Sequence, residues 1–472
     1  PSNEGFFSGK NMREIEQGSI VAKFGGTSLA TAERIKRVAE IVVENPQRRY
    51  VVVSAPGKGE NENEKIKITD LLLECNALVR KEATFDKAFE KVTQRFEEIG
   101  RGLECHSSVV GWLNSVNKGL QKGEKRDWIV SRGEWITAQI FAKFMGGAFV
   151  DATRLIRLGK NGQISPLTYQ LIREQLTEDS VYVVPGFYGL REHRIFGIPV
   201  QTSIKCFARG GSDITGAIIA KGVKASLYEN WTDVDGVKAA APNPQSTILN
   251  NPKRIDRITY KEMRELGYRG ADVLQMDAVL PVIEEEIPIN LRNTLNRNKH
   301  DPDYRGTLIV PRRESLEGET VIGIAGRKGF VSYQIEKVGM NQHKGVARRT
   351  LEVFEENDIS FEHVPTGLDS MSVIFYKDQL DGKEGKISAD LKKAIGPDSI
   401  SIKTSLGLVC VVGQNITEYA TDVHAKLYIT FQQAKIDTRA ATYSTGGNSI
   451  VIAVNEDKLT DAIEALYAAF IK

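Results

Sequence analysis

The common nucleotide fingerprints are missing from this 472-residue chain. Neither Gly-x-x-x-x-Gly-Lys-Ser/Thr nor Gly-x-Gly-x-x-Gly occurs, so Walker-type and Rossmann sites lack their signatures. The four cysteines (Cys75, Cys105, Cys206, Cys410) are scattered, with no disulfide or metal spacing, which points to a reducing, cytoplasmic setting. Six histidines form no ligand pair of the His-Glu-x-x-His kind, and no metal site is expected. A net charge of +2 gives no global pull toward nucleic acid or an anionic membrane. No apolar run approaches the roughly 20 residues of a membrane span. Residues 1–19 are polar and glycine-bearing and read as an N-terminal extension, not as a signal peptide. The length calls for more than one core, with two to four domains as the expectation.

What is present is organised around Val21-Ala22-Lys23-Phe24-Gly25-Gly26-Thr27-Ser28. A short apolar strand (Ile20, Val21, Ala22) runs into two glycines that close a tight turn. Thr27 and Ser28 are placed to cap a helix with the apolar stripe Ile35, Val38, Ala39, Val42. A strand passing through Gly25-Gly26 into a helix start presents free N–H groups and a positive dipole end, which suits phosphate. Lys23 adds a mobile point charge beside it. The plainer reading, a glycine-entered helix with Lys23 on the surface, has equal support from this stretch alone.

From Ile20 to about Val310 strands alternate with helices. Strands are expected at Tyr50–Val53, Ala148–Asp151, Val181–Val184, near Leu227-Tyr228 and at Ile287–Leu291. Helices are expected after Thr69, across Phe85–Ile99, after Ser131-Arg132-Gly133-Glu134, after Arg209-Gly210-Gly211-Ser212-Asp213 and over Tyr260–Leu266. The pattern predicts an α/β fold: a largely parallel sheet covered by helices on both faces, with ligands beyond the strands' carboxyl ends. All the polar motifs fall at strand-to-helix junctions.

The last 150 or so residues repeat themselves at an offset of about 77, with Val346 falling on Val423, Phe354 on Phe431, Ile359 on Ile436 and Ser372 on Ser449. Each copy reads as a helix (Arg348–Asn357; Lys426–Lys435), a strand, a turn and a β-branched strand (Ser372–Phe375; Ser449–Val454). A paired α+β module behind an enzyme-like domain points to ligand sensing, or else to a dimerisation platform. In the first copy Met340 precedes the helix, Gly345-Val346 start it, and Asp369-Ser370 stand in the turn. A helix start offers N–H groups to an α-carboxylate, and Asp369 offers an anion to an ammonium group, so lysine is the expected effector.

Two glycine turns, at Gly25-Gly26 and Gly210-Gly211, can hold a triphosphate and its acceptor on one rim. Phosphoryl transfer asks mainly for alignment and charge neutralisation. A carboxylate acceptor, with a pKa of about 4, needs no general base. Arg209 can clamp an α-carboxylate bidentately. Glu134 either takes an ammonium group or partners its helix dipole. Ser54 and Thr69 offer hydroxyls or act as caps. Asp213 and Asp233 either organise Lys23 or a nucleotide-bound Mg²⁺, or cap their own elements.

Together these motifs, with Val53-Ser54-Ala55 and Trp231-Thr232-Asp233-Val234-Asp235-Gly236, resemble the aspartate kinase family, of the amino-acid kinase fold with C-terminal ACT domains. The resemblance spans nearly the whole chain from Ile20. It implies a catalytic domain over residues 20–318, a first ACT-like domain over 319–398 and a second over 399–472. It also implies transfer of the ATP γ-phosphoryl group to the β-carboxylate of L-aspartate, the first step toward lysine, threonine and methionine. Lys23 and Asp213 would be catalytic, and Lys23, Gly25, Gly26, Thr232 and Asp233 would face ATP, which carries its own Mg²⁺. Ser54, Thr69, Glu134, Arg209 and Ser212 would surround aspartate. The ACT-like pair implies feedback regulation and a homodimer, with a tetramer left open.

The chain departs from the family's pattern in three places. Where many members read Asp-Pro-Arg it has Ala241-Pro242-Asn243, and where many read Gly-Ala-Lys it has Gly270-Ala271-Asp272. Both changes remove cationic character from the nucleotide side, so ATP contacts are expected to be weakened or supplied by other residues. The turn of the second repeat, Ser444-Thr445-Gly446-Gly447-Asn448, lacks an acid. Two other readings are a kinase for another acidic amino acid and a non-catalytic sensor derived from a kinase. Intact Lys23, Glu134, Arg209 and Asp213 argue against the sensor.

Overall fold

The computed structural model describes residues 18–472 apart from 62–63, 178, 196–197, 209, 269–273, 297, 299–303, 314–319, 415, 417–419 and 444–446. The chain divides into two units. The first comprises Pro1–Val237, Asp256–Tyr260 and Val273–Arg313, and the second Lys238–Ile255, Lys261–Asp272 and Glu314–Lys472.

The first unit is built on β1 (Ile20–Phe24) and β2 (Tyr50–Val53), both wholly buried, as runs without exposed polar positions require. Beside them stand β3 (Ala148–Phe149), β5 (Tyr182–Pro185), β8 (Leu227–Thr232), β9 (Arg257–Thr259), β10 (Ile289–Asn293) and β11 (Thr307–Val310) in the order β3-β5-β2-β1-β8-β10-β11-β9. Only β10 and β11 pair antiparallel; the other neighbours are parallel.

One face of this sheet is covered by α1 (Ala32–Glu44), α2 (Ile68–Arg80), α3 (Asp86–Gly102), α4 (His106–Gln121), α5 (Arg126–Val130) and α6 (Arg132–Met145). Their core includes Phe24, Val51, Val53 and Trp231. The expected stripe Ile35, Val38, Ala39, Val42 is buried there. Beyond β3 come α7 (Ala152–Leu155), β4 (Arg157–Leu158) and α8 (Leu167–Gln175). The opposite face of the large sheet carries α9 (Gly211–Val223), against which α8 packs. Strand β4 joins a hairpin of β6 (Tyr188–Ile195) and β7 (Ile198–Cys206) in a separate three-stranded sheet, an element the sequence reading did not contain. Of the two helices before β10, α10 (Tyr260–Tyr268) belongs from Lys261 on to the second unit and α11 (Leu280–Glu284) to the first.

The helix after the glycine turn begins later than its sequence suggests. Thr31 caps α1 by accepting the Arg34 amide at 3.2 Å, while Thr27 and Ser28 lie in a 3₁₀ turn, Gly26–Leu29. The reason is that nearby carbonyls are already engaged. Gly26 O accepts from Gly57 N at 2.8 Å and Thr27 O from Arg34 Nη1 at 2.8 Å. Neither is free to start the helical ladder.

Beneath β1 and β8, on the α1 face, lies a buried ionic cluster. Arg48 grips Glu229 bidentately (Nε–Oε2 2.6 Å, Nη2–Oε1 3.0 Å), Trp231 Nε1 donates to Glu229 at 2.8 Å, and Arg292 stacks on the Trp231 ring at 4.3 Å. Burial opposes ionisation of Glu229, but Arg48 and then Arg292 override it and hold its carboxyl below the usual range. This stabilisation is present at neutral pH and is lost as pH falls through the depressed pKa. Glu229→Gln leaves buried guanidinium groups without their anion. Such losses cost about 3–5 kcal/mol, so denaturant unfolding at pH 7 is expected to show a shift of that size.

The second unit holds one five-stranded sheet in the order β13-β12-β14-β16-β15: β12 (Gly323–Glu336), β13 (Ser370–Tyr376), β14 (Ser399–Val412), β15 (Thr438–Tyr443) and β16 (Ser449–Asn455). Its helices are α12 (Val346–Glu356), α13 (Glu384–Ile395), α14 (Ala420–Gln433) and α15 (Leu459–Phe470). Each copy therefore gains an opening strand and a closing helix that the sequence reading lacked. The strand expected after α12 is reduced to the bridges His363–Ile374 and Thr366–Met371. The copies follow one another in the chain and meet in the sheet where β12 pairs with β14. The second half of β12 pairs with β13, whereas its first half pairs with the part of β14 that also holds β16. Gly326 in that first half packs against Leu459 and Ile463 of α15. The segment 238–255 is bonded into this unit, Ala239 O accepting from Ile324 N at 2.7 Å and Tyr467 Oη from Lys253 N at 2.7 Å.

Candidate active site

Parallel register puts five strand ends on one line. Phe24 stands opposite both Val53 and Trp231, Val53 opposite Pro185, and Thr232 opposite Asn293. The residues beyond these ends are stitched to the neighbouring strand. Gly25 N donates to Trp231 O (2.9 Å), Ser54 N to Phe24 O (3.2 Å), Gly186 N to Val53 O (2.9 Å) and Thr294 N to Thr232 O (2.9 Å). Strand spacing then sets Gly25, Ser54, Gly186, Thr232 and Thr294 side by side about 4.8 Å apart along a carboxyl-end rim, where open α/β sheets bind ligands.

Lys23 is not the mobile charge expected from its position. It is 7% exposed, and its Nζ lies 2.6 Å from Asp213 Oδ1 and 3.3 Å from Asn230 Oδ1. Asn230 Nδ2 donates to the same Asp213 oxygen at 2.8 Å, closing a three-membered network. Lys23 and Asn230 face each other across the β1–β8 register, and Asp213 comes from the first turn of α9 after Gly210, whose φ of 79° needs a glycine. Gly216 lets α9 approach β8, because a Cβ there would stand 2.7 Å from the Tyr228 ring. Two of the three ammonium donors are used within the network, leaving one for an anion at the rim. Asn230 has no role in the sequence reading; its place opposite Lys23 in the parallel register supplies one.

Glu134, in the first turn of α6, is buried, and its Oε2 has no hydrogen-bond partner among the described residues. Burial pushes its pKa up to about 8, against the opposing pull of its own amide, the Ala55 amide and Arg132. A helix-dipole partner would be expected at the surface with a lowered pKa, and Glu134 has neither property. Gly133 permits the approach to the loop after β2, since a Cβ there would stand 2.8 Å from that of Ala55. The same loop ends where Ile68 N donates to Pro56 O at 3.2 Å, one residue before Thr69. Ser54 and Thr69 thus stand at the two ends of this loop, and Glu134 borders it from α6 at Ala55. Ser212 lies against Gly186, where a Cβ would stand 2.6 Å from Ser212 Oγ, and Gly186 N donates to Val53 O beside Ser54. The neighbours Ser131 and Arg132 serve packing: Ser131 Oγ donates to Trp128 O, and Arg132 is stacked by Trp128, Trp135 and Tyr188. Arg209 lies outside the described residues.

At the other end of the rim Asp233 is exposed and accepts from Thr232 Oγ1 at 3.2 Å. It is Asp213, not Asp233, that holds Lys23. Asp235 accepts from Asn293 (2.9 Å) and Asn296 (3.2 Å), and Ser28 Oγ meets Thr294 Oγ1 at 2.7 Å. Asn293 and Thr294 were missed, although they end β10 just as Thr232 ends β8. Asn243 is spent on a local turn, its Oδ1 accepting from Gln245 N. Asp272 lies outside the described residues. Among the described residues no group of three or more His, Cys, Asp or Glu gathers to hold a metal ion.

In the second unit, Asp369 Oδ1 accepts from Gly339 N at 2.8 Å, beside Met340. Gly345, with φ 82°, leads into α12 at Val346, which shares a core with Met340; Ser370 opens β13 and is exposed. No described bond joins Gly345 or Val346 to Asp369. The turn residues 444–446 lie outside the described residues.

Comparison with known proteins agrees with this geometry. The amino acid kinase family pattern matches residues 18–293. "Aspartokinase 3" of Bacillus subtilis is 32% identical over 95% of this chain and 98% of its own length. The solved aspartate kinase of Clostridium acetobutylicum, described as an allosteric enzyme, superposes with a TM-score of 0.83 at 37% identity, covering 96% of this chain and all of that one. The E. coli aspartokinase III complex with lysine and aspartate shares the fold, with a TM-score of 0.70 at 20% identity over 96% of this chain and all of that one. On these grounds the chain belongs to the amino acid kinase family, among its aspartokinases.

Proposed function

We propose that this protein transfers the γ-phosphoryl group of ATP to the β-carboxylate of L-aspartate, giving 4-phospho-L-aspartate and ADP. The observation that carries this is the buried Glu134, whose Oε2 has no partner among the described residues, beside the loop that runs from Ser54 to Thr69. It suits the α-ammonium group of an amino acid, with Arg209 and Ser212 taking the α-carboxylate side. The β-carboxylate is ionised at neutral pH, so its oxygen attacks phosphorus without a base. A new oxygen–phosphorus bond forms while the bond to the β–γ bridging oxygen breaks. Lys23, set by Asp213 and Asn230, meets the charge that develops on the transferring group. Gly25, Gly26, Thr232 and Asp233 line the nucleotide end. Asp233, the exposed acid at that end, would hold Mg²⁺ brought by the nucleotide, and the ion would offset phosphate charge. The test is ATP- and Mg²⁺-dependent hydroxamate formation with hydroxylamine and a panel of acidic amino acids. Aspartate should give the strongest signal; no product above background at millimolar substrates would overturn the reading.

The second unit is read as a regulatory ACT-type pair that associates between chains to form a homodimer and binds lysine at the first repeat, in a pathway leading to lysine, threonine and methionine in the cytoplasm. The support is Asp369 at the mouth of the first copy, against a second copy whose turn carries no acid. Asp369→Ala should abolish lysine inhibition and leave uninhibited turnover intact. Full sensitivity in that variant would place the effector elsewhere. Typical allosteric coupling of about 1–3 kcal/mol makes the effect about 5- to 150-fold.

A further inference from the structure

We propose that Arg95, a residue of α3 that touches no substrate, is a positioning residue for phosphoryl transfer: its guanidinium clamps together the two loops that carry the phosphate turn and the amino-acid site. The inference rests on the function proposed above. Arg95 is 2% exposed, and its described hydrogen bonds all go to backbone carbonyls. Nη2 donates to Gly57 O at 2.7 Å and Ala30 O at 3.3 Å; Nη1 donates to Ile66 O at 2.7 Å and Glu64 O at 3.4 Å. Ala30 closes the turn that begins at Gly25-Gly26. Gly57 and Ile66 bracket the loop between Ser54 and Thr69. The two loops already touch, because Gly57 N donates to Gly26 O at 2.8 Å and a Cβ on Gly26 would stand 2.7 Å from Ala55 O. One planar fork therefore fixes, from behind, the separation between the donor's phosphate turn and the acceptor's loop. Lysine carries a charge but no fork and cannot serve both loops at once.

The test compares the full-length chain with Arg95→Lys and Arg95→Ala. Displacing reacting groups by about 1 Å costs about 100-fold. Arg95→Lys should melt within a few degrees of the parent yet lose about 10- to 100-fold in kcat, with aspartate and ATP KM changing less. Amide hydrogen exchange should quicken in residues 26–31 and 54–61 and not in β8 or β10. Added guanidinium ion should restore part of the activity of Arg95→Ala if that variant folds. The proposal is overturned if Arg95→Lys keeps kcat and both KM values within twofold, or if lost activity only tracks lost folded protein. If the parent itself forms no hydroxamate, the functional reading fails. Unchanged exchange in Arg95→Lys would then overturn the clamp separately, and faster exchange confined to those loops would support it.

Discussion

Lys23→Ala should lower kcat by about 10²–10³, the usual cost of removing one donor aimed at developing charge, while the aspartate KM moves only a few-fold. The asymmetry follows from the network around Nζ. Asp213 and Asn230 hold the ammonium group at 2.6 and 3.3 Å, so it is set before substrate arrives and need not reorganise during transfer. Its removal also strips Asp213 of its counter-ion and turns that carboxylate toward the incoming phosphates. Asp213→Asn should give a milder loss, because the cation remains but is held by amide groups alone. Steady-state kinetics with aspartate and ATP varied separately would check both. A Lys23→Ala enzyme with kcat within tenfold of the parent would remove Lys23 from the transfer step.

Glu134→Gln should raise the aspartate KM by about 10- to 100-fold, in line with a charged hydrogen bond of about 1.5–3 kcal/mol. The variant should also change the pH dependence. Burial raises the Glu134 pKa to about 8, so near neutrality the carboxyl of the free enzyme is largely protonated. An ammonium ligand requires the ionised form, and binding then releases a proton. Below pH 8 the aspartate KM of the parent should fall about tenfold per pH unit as pH rises, and that slope should vanish in Glu134→Gln. Stability moves the opposite way. With a folded pKa above the unfolded one, the parent loses stability as pH climbs from the ordinary glutamate range toward 8, and Glu134→Gln should not. Rate profiles and thermal melts between pH 6 and 8.5 would show both; a pH-independent aspartate KM in the parent would remove Glu134 from ammonium binding.

The parts of this fold that could be read from sequence are those whose signal is local. The stripe of α1 and the run Tyr50–Val53 state their burial within a few residues, and the glycine turns mark strand ends. Parallel strands then put the motifs on one rim without further information. What escaped depends on residues remote in sequence. Asn230 meets Lys23 across 207 positions, and Arg48 meets Glu229 across 181. The start of α1 was misplaced because Gly57, 31 positions from Gly26, takes the carbonyl that would have begun it. Strand β14 went unread because its first seven residues lie at or near the surface and all but Ile400 and Ile402 are polar, so only its second half looks like a buried strand. The β6–β7 hairpin was overlooked because its charged residues belong to a small sheet of its own.

The pairing of β12 with β14 limits how the C-terminal duplication can be taken apart. Had the copies been beads on a string, either could be excised, swapped or grafted. Here a cut between α13 and β14 separates two strands that pair along nearly their whole length, from Gly323–Val412 to Glu336–Ser399. Each fragment would be left with an unpaired fourteen-residue strand flank, the kind of edge that recruits other chains. An engineer seeking a minimal sensor from this protein would have to take both copies as one indivisible part, and mutational drift in either copy is constrained by the ladder it shares with the other.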